Sequence, residues 1–373
     1  MHIAIAAHQA GGPVSGLGRY VNELVPALVR TGPEHEFTVF LGRDFAPNHP
    51  LRVLRAPNLR TLSLPCGTGI SVSQQFLVAR ELRRLRPDVF HHPHLDLSVM
   101  APGRIVVTIH DLKYLRHPEF FPRRSRLKRE ILFRLTRRTV SRANRVIAVS
   151  EYTRRDIVEF FGVEPEKITA IHHGIRKEDP IADASSVPVP GPYVLFVGVR
   201  RPHKNLLRLI NAFSQFHANH GDYRLVIVGQ AYPGFDLPER LVAELGLDNA
   251  VRFTGPLSDT ALAAAYRGAS LFVLPSLYEG FGFPALEAMS RGVPTVVSET
   301  TSLAEVCGDA CISVDPLSTD SLAGAMSRVI EDPQLRDRLA KLGRDRAAGF
   351  TWDRTARATL EVYAEVAGER RNG

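Results

Sequence analysis

The chain has 373 residues, of which 44% are hydrophobic and 23% charged, and its formal net charge is +8. These values are typical of a globular protein, and the length favours two domains with a cleft between them over a single core. The sequence contains no run of about 18 apolar residues, so no membrane-spanning helix is predicted. Its first residues have the pattern of a strand and not of a charged leader, so no signal peptide is predicted. The three cysteines, at positions 66, 307 and 311, lack metal-ligand spacing. We therefore expect a cytoplasmic protein with free thiols.

Strand and helix patterns alternate from the first residues, which predicts parallel sheets covered by helices on both faces. In the first lobe, the predicted strands are 2–7, 36–41, 88–90, 104–109 and 145–149, and the predicted helices are 19–30, 72–85, 124–141 and 152–161. A polar, proline-bearing stretch at 177–192 is predicted to be a linker. In the second lobe, the predicted strands are 193–198, 224–229, 250–254, 271–275, 294–298 and 311–314, and an amphipathic helix follows at 351–367. The fold class is α/β, with two Rossmann-like, doubly wound domains at 1–176 and 193–350.

Residues 279–287, Glu-Gly-Phe-Gly-Phe-Pro-Ala-Leu-Glu, place two carboxylates around a glycine-rich turn after a predicted strand. Ligands of open α/β sheets bind outside the carboxyl ends of strands, where the N–H groups at a helix N-terminus attract phosphate. Gly280 and Gly282 permit a close backbone approach. The carboxylates of Glu279 and Glu287 can accept hydrogen bonds from the hydroxyls of a sugar and a ribose. The simpler interpretation is a solvated Glu279 and a Glu287 that favours a helix N-terminus.

Two further strand-to-helix turns contain candidate ligand-binding residues. The turn after the predicted strand at 193–198 contains Arg200, Arg201 and Lys204, which are suited to a diphosphate unless they are merely solvated loop cations. In the first lobe, the loop at 10–18 includes Gly16 and permits a ligand to approach the following helix. This loop lacks the Gly-x-Gly-x-x-Gly pattern of dinucleotide-binding enzymes, which makes a nicotinamide dehydrogenase an unfavoured alternative.

Histidines form a second group of candidates. His110 ends the predicted strand at 104–109 and is expected at the cleft edge, although a structural hydrogen bond is the commoner role of such a residue. Near His91, His92 and His94, Pro93 interrupts any regular spacing and no carboxylate partner is evident, so no metal site is predicted. The chain also lacks an Asp-x-Asp pair, the usual means of holding a metal on a sugar-nucleotide diphosphate. We expect no metal and no cofactor.

The positive charge is concentrated in one segment. Residues 123–142 contain nine basic side chains and one acidic side chain, Glu130. The net charge of this segment, nine minus one, equals the formal net charge of the whole chain, +8. Leu127, Ile131 and Leu135 recur at helical spacing, so the segment is predicted to form a helix with a narrow apolar seam. Such a helix suits an anionic membrane surface, whereas the alternative is a solvated helix. Nucleic-acid binding is disfavoured because the segment lacks interleaved aromatic residues apart from Phe133.

The stretch at 279–289 and the following Gly-Val-Pro-Thr-Val at 292–296 closely resemble the donor-site signature of the retaining family 4 glycosyltransferases. The resemblance spans nearly the whole chain. It implies a GT-B fold in which a terminal helix, at 351–369, crosses back onto the first domain. It also implies that a hexose moves from a nucleoside diphosphate sugar to an acceptor hydroxyl with retention of anomeric configuration, and that the leaving phosphate takes the acceptor's proton.

The resemblance further implies roles for individual residues. Glu279 would hold sugar hydroxyls, Glu287 the ribose, and Lys204 the diphosphate together with Arg200 or Arg201. The catalytic set is then His110, Glu279, Lys204 and Arg200. The donor-binding set is Gly16, Arg201, Lys204, Phe281, Gly282, Phe283 and Glu287.

The donor sugar is predicted from shorter runs. Thr-Ile-His-Asp-Leu-Lys-Tyr-Leu at 108–115 and Pro-Glu-Phe-Phe-Pro at 118–122 are similar to bacterial mannosyltransferases that build surface polysaccharides. We therefore favour GDP-mannose as the donor and a glycan or lipid-linked intermediate as the acceptor, with the enzyme peripheral to the membrane. The alternatives are a UDP-sugar-dependent glucosyl- or N-acetylglucosaminyltransferase and a sugar-nucleotide epimerase of the same fold. A monomer is assumed.

Overall fold

A computed structural model describes residues 1–10, 16–67, 72–120, 126–176 and 189–368. The chain divides into two compact units, Met1–Gly174 with Thr351–Gly373 and Ile175–Phe350. Most of the predicted linker, at 177–188, lies outside the described residues. Each unit is built around one parallel sheet, so each can be described by itself.

The sheet of the first unit has seven parallel strands in the order β3-β2-β1-β4-β5-β6-β7. The strands are β1 (His2–Ala6), β2 (Glu36–Leu41), β3 (Leu59–Ser63), β4 (Val89–His92), β5 (Ile105–Ile109), β6 (Arg145–Ala148) and β7 (Ile168–Ala170). The five predicted strands are confirmed. The two strands that were not predicted form the edges of the sheet. Edge strands bury fewer side chains, and accordingly β3 has no fully buried residue and β7 is only three residues long.

The helices of the first unit that precede its last strand are α1 (Gly16–Thr31), α2 (Pro50–Val53), α3 (Val72–Leu85), α4 (Lys113–Arg116), α5 (Arg126–Arg142) and α6 (Glu151–Phe161). Four of them, α1, α3, α5 and α6, match the predicted helices within a few residues, whereas the four-residue helices α2 and α4 were not predicted. Helix α6 shows why a helix begins and ends at particular residues. The Ser150 hydroxyl accepts a hydrogen bond from the Thr153 N–H at 3.0 Å, and Gly162 closes the helix at a left-handed φ of 62°.

The second unit contains a six-stranded parallel sheet in the order β10-β9-β8-β11-β12-β13. The strands are β8 (Tyr193–Val197), β9 (Arg224–Val228), β10 (Val251–Gly255), β11 (Leu271–Leu274), β12 (Thr295–Ser298) and β13 (Ile312–Val314). The helices are α7 (Leu206–Asn219), α8 (Leu237–Glu244), α9 (Asp259–Arg267), α10 (Phe283–Ser290), α11 (Ser302–Cys307), α12 (Thr319–Glu331) and α13 (Pro333–Ala348). All six predicted strands are confirmed, because central strands such as β11 are fully buried and therefore appear as uninterrupted apolar runs.

Strand order reverses once in each sheet. In the second unit, β8 lies between β9 and β11, so the chain winds outwards on one side of β8 and then returns to the other side. In the first unit, β1 lies between β2 and β4 in the same way. The loops after such neighbouring strands separate and leave a crevice, where open α/β sheets bind their ligands.

The last described helix, α14 (Trp352–Gly368), belongs to the first unit and packs on α1. A buried chain of hydrogen bonds joins it to the sheet. The Tyr363 hydroxyl is 2.6 Å from His91 Nδ1, His91 Nε2 is 2.8 Å from the Thr108 hydroxyl, and Thr108 is 3.1 Å from the Tyr20 hydroxyl of α1. The start of α14 also passes close to Gly174, where a Cβ atom would lie 2.2 Å from the backbone nitrogen of Trp352.

Two histidines are enclosed where α1, α14 and the sheet meet. The His110 ring packs edge-on to Tyr20 at 4.8 Å, and the His173 ring lies 4.8 Å from Tyr20 and stacks on Trp352 at 5.8 Å. Desolvation by these surroundings lowers the pKa of His110 to about 4 and holds the pKa of His173 well below its ordinary value. Both imidazoles are therefore neutral in the folded protein at neutral pH.

We predict that the first unit loses stability on acidification at pH values that are still above the range in which carboxylates become protonated. Below about pH 6.5 the unfolded chain binds protons at His110 and His173, whereas the folded chain does not, so stability falls as the pH is lowered. The melting temperature should fall by at least about 5 °C between pH 7.5 and pH 5. His173→Phe, which keeps a stacked ring and removes the proton site, should flatten this dependence in thermal melts. Equal pH slopes for the variant and the wild type would contradict the assignment.

Candidate functional site

Two loops of the second unit come together at the reversal of strand order. One follows β8 and contains Lys204 at the end of the short 3-10 helix Pro202–Lys204, and the other follows β11. Asn205 adopts a left-handed φ of 61°, and its side-chain Nδ2 donates to the carbonyl of Pro275 at 3.1 Å. The Leu277 N–H donates to the carbonyl of His203 at 2.8 Å. These bonds fix the loops to each other and bring together residues that are far apart in sequence.

Lys204 and Glu279 form a salt bridge between the two loops, and each side chain is only 13% exposed. The Ser276 hydroxyl donates to Oε1 of Glu279 at 2.7 Å, and the Ser302 hydroxyl donates to the Glu279 backbone carbonyl at 2.9 Å. Sequence reasoning identified Lys204 and Glu279 but neither serine. Because the ammonium and both serines hold Glu279, its carboxylate has a defined orientation before any ligand arrives.

The N-terminus of α10 lies directly after Glu279 in the same loop. Gly282 caps the helix at a φ of 108°, and a Cβ atom there would lie 2.4 Å from Cδ2 of Leu303, so this position favours glycine for two reasons. Phe281 is buried and its ring packs edge-on to Phe283 at 5.3 Å. The two phenyl rings therefore stabilise the turn, while the positive end of the α10 dipole can attract an anion.

Glu287 lies in the second turn of α10 and is oriented by a buried tyrosine. The Tyr266 hydroxyl donates to Oε2 of Glu287 at 3.0 Å. The Arg291 guanidinium lies over the Tyr266 ring at 4.9 Å and donates to the Glu287 backbone carbonyl at 2.8 Å. Tyr266 was not identified from the sequence, because it precedes the motif on a different helix, α9.

The two neighbouring arginines of the β8 loop have different surroundings. Arg200 is 8% exposed, forms a salt bridge with Glu239 and lies over the Phe253 ring at 4.9 Å. Arg201 is half-buried and its guanidinium lies over the ring of Tyr232 at 4.9 Å. The charge of the buried Arg200 is thus compensated by Glu239, whereas the Arg201 guanidinium lies against the exposed ring of Tyr232.

The candidate residues of the first unit are His110 and Gly16. His110 follows β5, and its Nε2 is 3.1 Å from the carbonyl of Pro93, which identifies Nε2–H as the donor. Asp111, which was considered as an orienting partner of His110, accepts a hydrogen bond from Lys113 at 2.7 Å. Gly16 is the first residue of α1, and the described residues leave space for a Cβ there; residues 11–15 of the same loop lie outside the described part of the chain.

The interpretation of the histidines after β4 was wrong on one point, because a carboxylate partner does exist. Oδ1 of Asp96 lies 3.0 Å from His92 Nε2 and 2.5 Å from His94 Nδ1. The loop folds back on itself, so residues two and four positions apart meet despite Pro93. Burial alone would raise the pKa of Asp96, but the hydrogen bonds from His92 and His94 outweigh it and hold the pKa well below its ordinary value.

The structure thus brings one predicted set together within the second unit and leaves another in the first. The first set comprises Arg200, Arg201, Lys204, Glu279, Phe281, Gly282, Phe283 and Glu287, all within Ile175–Phe350. Gly16 and His110 belong to the other unit.

Two family models match adjoining parts of the chain. The model described as Glycosyltransferase Family 4 matches residues 14–179, and the one described as Glycosyl transferases group 1 matches residues 178–346. Together they include every predicted site residue and all strands of both sheets except β1.

Similar proteins extend over almost the full length. The O-antigen chain mannosyltransferase B of Escherichia coli is 29% identical over 97% of this chain and 99% of its own length. The MMP alpha-(1->4)-mannosyltransferase of Mycolicibacterium hassiacum is 27% identical over 98% of both. The solved sucrose-phosphate synthase from Thermosynechococcus elongatus, at 23% identity, superposes with a TM-score of 0.82 over 99% of both chains. The chain therefore has the GT-B fold, belongs to the family 4 glycosyltransferases and is a hexosyltransferase.

Proposed function

We propose that the enzyme transfers mannose from GDP-mannose to an acceptor hydroxyl and retains the anomeric configuration. The observation on which this rests is the Lys204–Glu279 salt bridge beside the N-terminus of α10. A cation, a fixed carboxylate and a helix N-terminus in one loop pair suit a phosphorylated sugar. The choice of mannose rests on the names of the two relatives, one of which acts on O-antigen chains. The acceptor we propose is a glycan or lipid-linked intermediate of surface polysaccharide.

The diphosphate is assigned to Lys204, Arg201 and the start of α10. An ammonium has three N–H donors, so Lys204 can keep its bond to Glu279 and still donate to phosphate oxygens. Arg201 is preferred over Arg200 because Glu239 already compensates the Arg200 charge. With these cations and the helix N-terminus, the donor diphosphate needs no divalent metal, in keeping with the lack of an Asp-x-Asp pair in the sequence.

The two glutamates are assigned to the sugar and the ribose. Ser276 and Lys204 hold Glu279 so that its carboxylate can accept bonds from sugar hydroxyls, while Tyr266 orients Glu287 towards ribose hydroxyls. Fixed acceptors of this kind lose little entropy when the donor binds. His110 and Gly16 lie in the first unit, and their roles towards sugar and phosphate stay predictions.

The chemistry follows from where charge develops. The bond between the anomeric carbon and the diphosphate oxygen breaks, the acceptor oxygen attacks the same face, and the departing phosphate oxygen takes the acceptor's proton. Negative charge grows on the diphosphate as the sugar becomes oxocarbenium-like. Lys204, Arg201 and the N-terminal end of the α10 dipole stabilise this growing charge, which is the main catalytic contribution of the protein.

Nucleotide choice and reaction type are tested together. GDP-mannose should raise the melting temperature more than UDP- or ADP-sugars do, since a ligand at 100 times its Kd stabilises by about 2.7 kcal/mol. With an acceptor present, NMR of the product should show the same anomeric configuration as the donor. A shift with UDP-glucose or UDP-N-acetylglucosamine only would favour the UDP-sugar alternative. Conversion of the donor without any acceptor would favour the epimerase.

Replacement of the two glutamates by alanine should have different effects on donor binding and turnover. Glu287→Ala should raise the Kd of GDP-mannose by roughly ten- to a hundred-fold, because a hydrogen bond to a charged group is worth about 1.5–3 kcal/mol. Glu279→Ala should mainly lower kcat, because its contacts are to the reacting sugar. Calorimetry and initial rates measure the two effects. Glu299→Ala, an exposed glutamate after β12, is the matched control and should change neither. Small, equal effects of both site variants would refute the assignment.

We also infer that α5 binds an anionic membrane surface. Leu127 and Ile131, expected in the apolar seam, are 73% and 48% exposed, and the helix instead buries Thr136, Thr139 and Val140. Exposed arginines share the outward side, among them Arg134, Arg137 and Arg138. Within the described residues, no helix is long and apolar enough to cross a membrane. Residues 123–125 of the basic segment lie outside the described residues.

Vesicle sedimentation tests this inference. The protein should bind vesicles containing phosphatidylglycerol and not neutral phosphatidylcholine vesicles, and binding should weaken as salt rises. Arg137→Glu should reduce binding about tenfold or more, since each basic residue near the surface is worth about 1 kcal/mol. Arg338→Glu, the same reversal on the exposed side of α13, should leave binding unchanged. Equal losses of vesicle binding in both variants would contradict the inference, because they would show that binding depends on the net charge of the protein and not on α5.

A further inference from the structure

We propose that His92, His94 and Asp96 form a binding site for a zinc-class divalent cation in the first unit. Their ligand atoms, two imidazole nitrogens and one carboxylate oxygen, all lie within 4.8 Å of one another. Both imidazole nitrogens are directed at the same carboxylate oxygen, at 3.0 and 2.5 Å. The two imidazole nitrogens therefore meet at one carboxylate oxygen, whereas a usual histidine–carboxylate pair involves a single histidine.

The distances between the three ligand atoms suit a small cation once the side chains have moved slightly apart. Zinc lies about 2.0–2.2 Å from imidazole nitrogen and carboxylate oxygen, so neighbouring atoms of a tetrahedral site are about 3.4 Å apart. The nitrogen–oxygen separations observed here are 2.5 and 3.0 Å, so a bound ion requires side-chain rotations that widen them by less than about 1 Å. The same rotations must bring the two imidazole nitrogens, which lie within 4.8 Å of each other, to this spacing. Two imidazoles among three ligands favour zinc, cobalt or nickel over magnesium or calcium, which prefer oxygen.

Burial and charge also favour a cation. Asp96 is 1% exposed and His92 is 2% exposed, so these ligand atoms lie in the protein interior, where charged groups are paired or coordinate metal ions. The His94 side chain is 29% exposed and provides access from solvent. Three protein ligands leave a fourth position for water or for an oxygen atom of a bound ligand.

The position in the fold is an independent argument for a ligand site. The three residues occupy the end of β4 and its following loop, beside β1, where the strand order of the first sheet reverses. The ring of His8, which follows β1, lies 6.2 Å from the His92 ring. This is the same type of location as the Lys204–Glu279 loops in the second sheet. The cation site belongs to the other unit, and it does not depend on the proposed reaction or on the metal-independent binding of the diphosphate.

The test uses tag-free, full-length protein from which metal has been removed with a chelator. Cobalt(II) chloride is titrated in, and visible absorption reports binding because nitrogen- and oxygen-ligated tetrahedral cobalt absorbs far more strongly than the hydrated ion. We expect one equivalent of cobalt to bind, zinc to displace it, and zinc but not magnesium to raise the melting temperature. A wild-type protein with no intense cobalt absorption would overturn the proposal.

Variants decide whether these residues are the ligands. His94→Ala and Asp96→Asn should each weaken cobalt binding at least about tenfold, and circular dichroism checks that they fold. His94 is partly exposed and Asp96→Asn conserves volume, so one folded variant suffices for the test. The matched control is His117→Ala, because His117 and Glu119 form another pair two residues apart, at 2.8 Å, outside the cluster. Cobalt binding that survives in a folded cluster variant, or is lost equally in His117→Ala, would overturn the assignment.

Discussion

The contact on which the donor site depends is the salt bridge between Lys204 and Glu279, two residues separated by 75 positions in the sequence. They meet because β8 and β11 are neighbours in the sheet, although β9 and β10 lie between them in the sequence. Asn205 and Leu277 then tie the loops together through backbone carbonyls. Both ionic side chains are largely enclosed, so removing either one leaves a poorly compensated charge. The site is therefore a consequence of sheet topology first and of side-chain chemistry second.

The same topological constraint produces a different chemistry in the first sheet. There the loops after β1 and β4 bring histidines and Asp96 together, whereas in the second sheet the corresponding loops supply cations and a helix N-terminus. A cluster with one carboxylate attracts a cation, and a loop with Lys204 and Arg201 attracts an anion. Rossmann-like sheets thus give each unit a ligand position, and the residues that the loops contain determine which ligand is bound.

Much of the architecture could be predicted from the sequence, because buried parallel strands such as β11 leave an unambiguous apolar run. The loops that contain Lys204 and Glu279 were located for the same reason, since each follows such a strand. The remaining features depend on tertiary neighbours. Glu239 distinguishes Arg200 from Arg201, and Tyr266 orients Glu287, yet neither partner is marked by its local sequence.

Two errors have the same origin. The partner of His92 and His94 was missed because regular spacing was sought, whereas the direction of the loop backbone, which the sequence does not encode simply, brings Asp96 back to them. On α5, helical spacing alone could not show that Thr136 and Val140 face the core while Leu127 faces outwards.

The most direct test of the central claim is a crystal structure of the enzyme soaked with GDP-mannose. The account predicts diphosphate oxygens about 3 Å from Lys204 Nζ and a ribose hydroxyl at a similar distance from Glu287. Donor density elsewhere, with the loops of Lys204 and Glu279 empty, would contradict it.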